Sequence, residues 1–318
     1  MADLKVKFLG IEFANPTILA SGIYPTTAGA LLKAVENGAG GVTTKSIWLE
    51  AHKGHPAPTL LTTEHFTINA VGLSDEGVSK SGPEILAYKN KIAEKGHCAP
   101  VIASIVAGTK TDFGFLAEKI TQFAPDIIEI NISCPNVEEE FGKPFACDVK
   151  SAVEVTKIVN KFAANAVKSR TKLPVIVKLS PNVLDISEIA KAVADAGASG
   201  FCAVNTFGPG MVIDLEKRKP FLSNKVGGVS GPGIKPLAVR CVYDIYKATK
   251  LPIIGMGGIT TGTDAIEFIM AGANLVGIGA GVYMRGPQAF KLVCNEMSEW
   301  MDSHGVKDLQ ELVGAAHK

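Results

Sequence analysis

Two lysines and two asparagines lie near the ends of short apolar runs, where side chains that take part in chemistry are often placed. Lys45 lies in GGVTTKS, Lys178 in PVIVKLS, Asn131 in DIIEINIS and Asn205 in GFCAVNT. A buried ammonium or carboxamide group without a partner costs several kcal/mol, so packing alone does not explain four such residues. We therefore expect these side chains to face a ligand.

The segment NISCPNV, residues 131–137, places Cys134 directly before a proline that stiffens the loop. Cys134 is therefore the cysteine that we expect to point toward the same site as the lysines. A thiol with a lowered pKa can act as a nucleophile or as a general base. No histidine follows an apolar run in a comparable position, which disfavours a Cys-His hydrolase.

Eight short β-rich runs recur along the chain, with amphipathic stretches between them. The runs cover residues 16–22, 40–46, 100–106, 126–133, 174–180, 200–206, 252–258 and 274–280. Several are apolar on consecutive residues, as expected for parallel strands that are buried on both faces. They predict a TIM (β/α)8 barrel, α/β in class and a single domain over residues 1–318, with a doubly wound sheet as the alternative. The connections at 47–99 and 207–235 are long, so we expect them to build the active site.

Glycine-rich segments follow the last two runs, in GMGGI and GIGAG. Such segments present backbone N–H groups beside the starts of helices without side-chain obstruction, which suits a phosphate dianion. Either cluster alone could be a tight turn between a strand and a helix. Because they occupy the last two strands of the predicted barrel, we predict a phosphate-bearing ligand at Gly257, Gly258, Gly279 and Ala280.

The composition excludes several classes of protein. Apolar side chains make up 47% of the chain and charged ones 20%, which excludes a disordered or fibrous protein. The 32 Lys and Arg residues against 31 Asp and Glu leave a net charge of +1, so we expect no nucleic-acid partner. The apolar runs are strand-sized, so we expect no membrane association and a cytoplasmic location. The six cysteines are far apart, and we expect no metal or iron–sulfur site in this chain.

Nine motifs, in order, resemble those of the class 1 dihydroorotate dehydrogenases, which are flavin-dependent TIM barrels of pyrimidine biosynthesis. They are LASG, TKS, NAVGL, NISCPN, VKLSPN, VNT, GGVSGP, IGMGGI and IMAGA, and they span nearly the whole chain. The segment PNVEEEFGKPFACD and residues 210–232 resemble the NAD-linked subclass (class 1B) more than the fumarate-linked homodimers. Thr59, Asp75 and Ala280 depart from the family pattern, in which Arg, Asn and Thr are usual.

The resemblance implies oxidation of dihydroorotate to orotate by an enzyme that holds FMN in this chain. It implies that Cys134 is the catalytic base and that Lys45 and Lys178 place positive charge beside flavin and substrate. The implied substrate contacts are Lys45, Asn69, Gly72, Leu73, Asn131, Asn136, Asn205 and Thr206. The implied cofactor contacts are Ser21, Gly22, Lys45, Ser46, Asn131, Lys178, Val204, Gly231, Gly257, Gly258, Gly279 and Ala280. Asn136 and Thr206 could instead cap turns.

Resemblance to the NAD-linked subclass also implies that FAD and a [2Fe–2S] cluster are carried only by a partner subunit. The chain itself has no cysteine cluster and no GxGxxG fingerprint after a strand. The implied assemblies are a homodimer or a heterotetramer with the electron-transfer subunit. The alternatives are a fumarate-linked dihydroorotate dehydrogenase, an FMN enzyme similar to dihydropyrimidine dehydrogenase, and a catalytically silent flavin or phosphate-binding barrel.

Overall fold

Short strands and longer helices alternate through the computed structural model, which describes residues 3–133, 145–166 and 173–318. The strands are β1 (Val6–Phe8), β2 (Ile11–Phe13), β3 (Thr17–Leu19), β4 (Gly41–Thr43), β5 (Leu60–Thr62), β6 (Thr67–Asn69), β7 (Val101–Ile105), β8 (Ile127–Asn131), β9 (Val175–Lys178), β10 (Gly200–Ala203), β11 (Phe207–Gly210), β12 (Ile213–Asp214), β13 (Lys219–Pro220), β14 (Gly227–Ser230), β15 (Ile253–Met256) and β16 (Leu275–Ile278). The helices are α1 (Ala28–Glu36), α2 (Val78–Glu94), α3 (Lys110–Thr121), α4 (Val149–Ala166), α5 (Ile186–Asp195), α6 (Lys235–Thr249), α7 (Gly262–Met270), α8 (Ala280–Arg285) and α9 (Ala289–Ser303).

Eight strands form a closed barrel, and each pairs with the next barrel strand along the chain. They are β3, β4, β7, β8, β9, β10, β15 and β16. All of the pairs are parallel, and β16 returns to β3 with Val276 opposite Thr17, which closes the ring. These strands coincide with the eight predicted runs, so the TIM barrel is confirmed and the doubly wound alternative is wrong. The carboxyl ends of all eight strands therefore open at one end of the barrel.

Burial on both faces explains why the barrel strands are apolar on consecutive residues. In β8, Ile127, Ile128 and Ile130 are all fully buried, because the barrel interior lies on one face and helices cover the other. Several helices begin at a capping side chain; Thr27, Thr109, Asp185 and Thr261 each accept a hydrogen bond from a backbone N–H of the first turn. Such caps satisfy backbone N–H groups that the first turn of a helix leaves unpaired, so each of these helices begins directly after its capping residue.

The hairpin of β1 and β2 closes the end of the barrel where the strands begin. Phe8 and Phe13 are buried and meet edge to face, with 6.3 Å between ring centroids. The Phe13 ring lies against Gly41, the first residue of β4, where an added Cβ would be 2.8 Å from a ring carbon. The hairpin thus fills the bottom of the barrel and leaves the opposite end for a ligand.

The two long connections pair with each other above the strand ends. The segment after β4 supplies β5 and β6, the segment after β10 supplies β11 to β14, and the sheet order is β11–β14–β6–β5. In this sheet β14 runs antiparallel to β6, with Gly228 opposite Asn69. This second sheet stands over one side of the barrel mouth.

In the part of the chain that the structure covers, no helix is both long and apolar enough to cross a bilayer.

Candidate active site

A cavity of about 270 Å³ opens where the barrel strands end, and small-molecule sites commonly measure about 300–1,000 Å³. Its walls come from the ends of β3, β4, β8, β9, β10, β15 and β16 and from β5, β6 and β14 of the second sheet. The cavity is therefore built by the barrel mouth together with both long connections, as the lengths of those connections predicted.

The cavity brings together every predicted site residue that the structure describes. They are Ser21, Gly22, Lys45, Ser46, Asn69, Gly72, Leu73, Asn131, Lys178, Val204, Asn205, Thr206, Gly231, Gly257, Gly258, Gly279 and Ala280. Cys134 and Asn136 lie outside the described residues. The placement of the others agrees with a shared site, while the role of each remains a prediction.

A chain of hydrogen bonds joins the polar side chains across the barrel mouth. Ser46 Oγ lies 3.0 Å from Ser104 Oγ and accepts a hydrogen bond from Asn131 Nδ2 at 2.8 Å. Asn131 Oδ1 accepts from Ser133 Oγ at 3.1 Å, and Asn205 Nδ2 donates to Ser133 Oγ at 2.9 Å. Each carboxamide is held by neighbours on other strands, so the orientation of both is set before a ligand arrives.

Lys45 is half-buried after β4, and its Nζ donates to Ser74 Oγ at 2.7 Å. Burial lowers the pKa of the Lys45 ammonium group, and the nearby Asp75 carboxylate opposes this shift. Asp75 is itself held in place, since Oδ1 accepts from the Gly77 N–H at 2.8 Å and Oδ2 accepts from Ser81 Oγ at 2.9 Å. Lys45 is thus a cation of reduced basicity aimed at the cavity.

Lys178 ends β9 and is only 5% exposed. Its register partners are Asn131 on β8 and Cys202 on β10. An ammonium group this deeply buried is costly unless partners compensate its charge, and lining a cavity is a common reason for keeping one. Lys178 and Asn131 therefore form one part of the cavity floor.

The loop after β6 contributes backbone as well as side chains. Gly72 has φ +70° and lies so close to His55 that an added Cβ would be 2.8 Å from the backbone nitrogen of His55. Only glycine fits this combination of positive φ and close approach. The Leu73 carbonyl already accepts a hydrogen bond from Trp48 Nε1 at 2.8 Å, so the loop is fixed against the barrel wall.

Three glycines form a cradle on the opposite side of the cavity. Gly231, Gly257 and Gly258 have φ values of +87°, +134° and +91°. An added Cβ on Gly257 would lie 2.6 Å from Ala238 Cβ, and one on Gly258 would lie 2.7 Å from the Gly231 carbonyl oxygen. Side chains are excluded here, and the peptide groups remain open beside the start of α7. This agrees with the predicted phosphate position.

Gly279 differs from these three, because an added Cβ would be 3.6 Å from Ala20 Cβ, an ordinary contact. Gly279 precedes α8, and Ala280 is the first residue of that helix. Space alone therefore does not require the glycine at this position.

Several residues of the site gave no signal in the sequence. Ser74 and Ser104 hold Lys45 and Ser46, while Thr67, Ser230 and Tyr283 line the cavity. Thr67 and Ser230 face each other across β6 and β14, a pairing between segments more than 150 residues apart. Their position could have been found only by predicting that the two long connections form one sheet.

Three of the described cysteines have a raised pKa, the opposite of an activated thiol. Burial raises the pKa of both Cys241 and Cys294 to about 11, and it raises the pKa of Cys202 well above its usual value. Cys98 and Cys147 are exposed on the surface. Over the ranges that the structure covers, no group of three or more His, Cys, Asp and Glu side chains is placed to hold a metal ion.

The arrangement suits a ligand that has a planar polar ring at one end and a phosphate at the other. Carboxamides and hydroxyls at the mouth each offer a donor and an acceptor, which matches alternating C=O and N–H groups on a ring. The two lysines favour negative charge on such a ring, and the glycine cradle offers peptide N–H groups at the other end.

Comparisons with known proteins agree with this description. A family model for dihydroorotate dehydrogenase matches residues 3–301. The catalytic subunit of dihydroorotate dehydrogenase B (NAD(+)) from Pyrococcus horikoshii is 43% identical over 99% of this chain and 98% of its own length. The proteins of the same name from Methanocaldococcus jannaschii and Desulforamulus reducens are 42% and 41% identical, each over 99% of this chain and 98% or 99% of their own.

A solved structure of DHODH from Eimeria tenella, in complex with ferulenol, has a TM-score of 0.85 with 22% identity, over 99% of this chain and 89% of that one. This likeness supports the barrel fold. The curated relatives carry the name of an NAD(+)-type catalytic subunit. They therefore confirm the resemblance to the NAD-linked subclass that the motifs predicted. With a family model that matches nearly all of its residues, this chain belongs to the dihydroorotate dehydrogenase family.

Proposed function

We propose that this chain is an FMN-dependent catalytic subunit that oxidises dihydroorotate to orotate and delivers the electrons to NAD through a second subunit. The observation that carries the proposal is the meeting of Lys45, Lys178, Asn131 and Asn205 in one cavity with a glycine cradle at its other end. An anionic dihydropyrimidine beside a phosphate-bearing flavin uses both halves of that cavity.

The residues present fit FMN. A phosphate requires peptide N–H groups without neighbouring side chains, and at Gly257 and Gly258 an added Cβ would collide with adjacent atoms. Gly231 lies in the same cradle, since its carbonyl oxygen is one of the atoms that a Cβ on Gly258 would meet. Bound FMN would supply the acceptor for the hydride that leaves C6 of the substrate. Lys178 would favour negative charge on the isoalloxazine ring.

The side chains of the mouth would bind and orient the substrate. Asn131 and Asn205 are held by Ser46 and Ser133, so their remaining donors and acceptors point in fixed directions. Asn69 on β6 would act from the second sheet. Lys45 would pair with the substrate carboxylate. Fixed donors lose little entropy on binding, which favours a productive orientation.

Cys134 would remove the proton from C5 as the general base. The support for this role is the SCPN motif and its position directly after β8, whose last residue, Asn131, lines the cavity. Those described cysteines whose pKa is shifted have it raised by burial, so they are poor bases at neutral pH. These raised pKa values and the SCPN motif support Cys134 as the base.

Anaerobic titration of the purified chain tests the proposal. The protein should be yellow, and dihydroorotate should bleach the flavin, whereas dihydrouracil, which lacks the carboxylate, should bleach it much more slowly. A colourless protein that does not take up added FMN would contradict the cofactor. A yellow protein bleached faster by dihydrouracil would assign the site to a dihydropyrimidine dehydrogenase-like reaction.

A further inference from the structure

A carboxylate lies inside the barrel below the cavity and has no part in the proposed reaction. Glu129 on β8 is 1% exposed, and among the residues that the structure describes its Oε1 has no hydrogen-bond partner. A buried polar atom without a partner is costly, so a folded protein retains one only where something else compensates it.

The strand register shows where this carboxylate points. Side chains two residues apart share a face of a strand, so Glu129 lies on the same face as Asn131, which lines the cavity. Its partners on the neighbouring strands are Ser104 on β7 and Ile176 on β9. Ser104 Oγ is within hydrogen-bond distance of Ser46 Oγ, 3.0 Å away. Glu129 therefore occupies the layer of the barrel interior directly below the cavity floor.

Lys178 lies within electrostatic reach of this carboxylate. Lys178 pairs with Asn131 on β8 and with Cys202 on β10, so it stands one layer above Glu129 on the adjacent strand. Burial is the main cause of the raised pKa of the Cys202 thiol; the Glu129 carboxylate, which also hydrogen-bonds this thiol, raises that pKa further, and the Lys178 ammonium group lowers it. The Cys202 thiol is therefore within reach of both charges. Cys202 Sγ also lies 3.6 Å from Met256 Sδ.

We propose that Glu129 is the buried counter-charge of Lys178 and acts as a positioning residue, which keeps the ammonium group at the cavity floor and moderates the positive field there. The flavin part of this inference rests on the proposed function. With both residues present, the negative charge of Glu129 offsets the positive charge of Lys178. Without Glu129, the positive charge of Lys178 at the cavity floor is no longer offset. A cation beside a flavin favours the anionic reduced ring, so Glu129 keeps the flavin from being reduced too readily.

The reduction potential of bound FMN tests this inference in the full chain. In Glu129→Gln, which keeps the size of the side chain and removes the charge, the equilibrium should shift toward reduced flavin about tenfold, because one buried unit charge is lost. That change corresponds to about +30 mV for a two-electron couple and is measured by equilibration with a reference dye. An unchanged or lower potential would overturn the inference.

Two further variants separate charge from packing. Glu129→Asp keeps the charge and should keep the wild-type potential within about threefold in the equilibrium constant. Cys202→Ala removes a neighbour of both groups and leaves both charges, so its potential should also stay near wild type. A shift in either of these variants as large as that in Glu129→Gln would show that packing is responsible and would overturn the inference.

Unfolding of the flavin-free chain gives a test that does not depend on the cofactor. Lys178→Met leaves a buried carboxylate unpaired and should lower the urea midpoint strongly, whereas Lys178→Met combined with Glu129→Gln should recover about half of that loss or more. Simple addition of the two effects would overturn the inference. A chain that never binds FMN would contradict the proposed function, but this cycle would still decide the role of Glu129.

Discussion

The two lysines of the cavity have different surroundings and therefore different tasks. Lys45 is half-buried two residues after β4, is hydrogen-bonded to Ser74 and lies near Asp75, and both of these neighbours belong to the loop after β6. Lys178 is almost fully buried among the barrel strands. The half-buried lysine is the more accessible to an entering substrate, whereas the deeply buried one lies at the cavity floor. We assign Lys45 to the substrate carboxylate and Lys178 to the flavin on this basis.

Asp75 stands where the family pattern has Asn, and its charge should sustain the protonation of Lys45. Burial lowers the pKa of Lys45, so its charge, and with it the affinity for orotate, is lost as pH rises through that lowered pKa. Asp75→Asn keeps the side-chain size and removes the opposing effect, so the loss should begin at a lower pH. Orotate titrations between about pH 7 and about pH 10, followed by flavin absorbance, measure this.

Glu76→Gln is the matched control for Asp75→Asn. Glu76 is the next residue, is fully exposed and pairs with Lys80 at 2.7 Å, so its loss should leave the orotate pH profile unchanged. Identical profiles for Asp75→Asn and the wild type would show that the Asp75 charge does not act on Lys45.

Cys134→Ser should slow flavin reduction by dihydroorotate about 10²- to 10⁴-fold at neutral pH, because serine keeps the size but is a far weaker base. Binding of FMN should not change. Anaerobic stopped-flow absorbance gives the rate directly. Cys147→Ser, at an exposed cysteine of the same connection, serves as the control and should react at the wild-type rate. A Cys134→Ser rate within a few-fold of wild type would assign the base to another residue.

The turns that follow β15 and β16 differ in how strictly they require glycine. The turn after β15 requires it twice, since Gly257 and Gly258 have positive φ and adjacent atoms fill the space of a side chain. The turn after β16 has room for a Cβ at Gly279. We therefore expect the turn after β15 to be the less tolerant of the two, and its conformation to determine where a phosphate can bind.

Gly258→Ala should weaken FMN binding about tenfold or more, because positive φ strains alanine and its Cβ would press on the Gly231 carbonyl. The fluorescence of released flavin on dilution measures the affinity. Gly10→Ala is the control, since Gly10 has a similar φ of +84° in the β1–β2 turn, far from the cavity, with nothing within 4 Å of an added Cβ. It should reduce stability slightly and leave FMN affinity unchanged. Equal FMN affinity in both variants would contradict the cradle.

In the proposed reaction, the electrons pass from the flavin of this chain to a redox centre in another subunit. The described residues hold no group of metal-ligating side chains, and the sequence has no dinucleotide fingerprint after a strand. We propose a partner subunit that carries FAD and a [2Fe–2S] cluster, in a heterotetramer built on a homodimer of this chain. Sedimentation of the chain with and without that subunit measures the assembly.

The isolated chain should reduce its flavin with dihydroorotate and reduce NAD only poorly, since nicotinamide would have to reach the flavin in a cavity shared with the substrate. Addition of the partner subunit should raise the rate of NAD reduction at least about tenfold. The assay is NADH absorbance with the chain alone and with both subunits. Rapid NAD reduction by the chain alone would exclude the partner, and efficient turnover with fumarate would place the chain in the homodimeric subclass.

The eight barrel strands and the polar residues at their ends could be predicted from local patterns in the amino-acid sequence. Strands buried on both faces must be apolar on consecutive residues, and chemistry at their ends leaves polar residues such as Lys45, Asn131 and Asn205 directly after them. Glycines required by positive φ, such as Gly257 and Gly258, are equally visible. These features depend on residues close together in the chain, so a single sequence reveals them.

The residues that complete the cavity from distant parts of the chain became visible only in the folded barrel. The pairing of β6 with β14 brings Thr67 opposite Ser230, and the closed ring brings Ser104 to Ser46. The place of Glu129 below Lys178 follows from the register of four neighbouring strands, β7 to β10. In sequence this glutamate is a charged residue in an apolar run, without a sign of its partner. Contacts between distant segments depend on closure of the whole barrel, which no local pattern encodes.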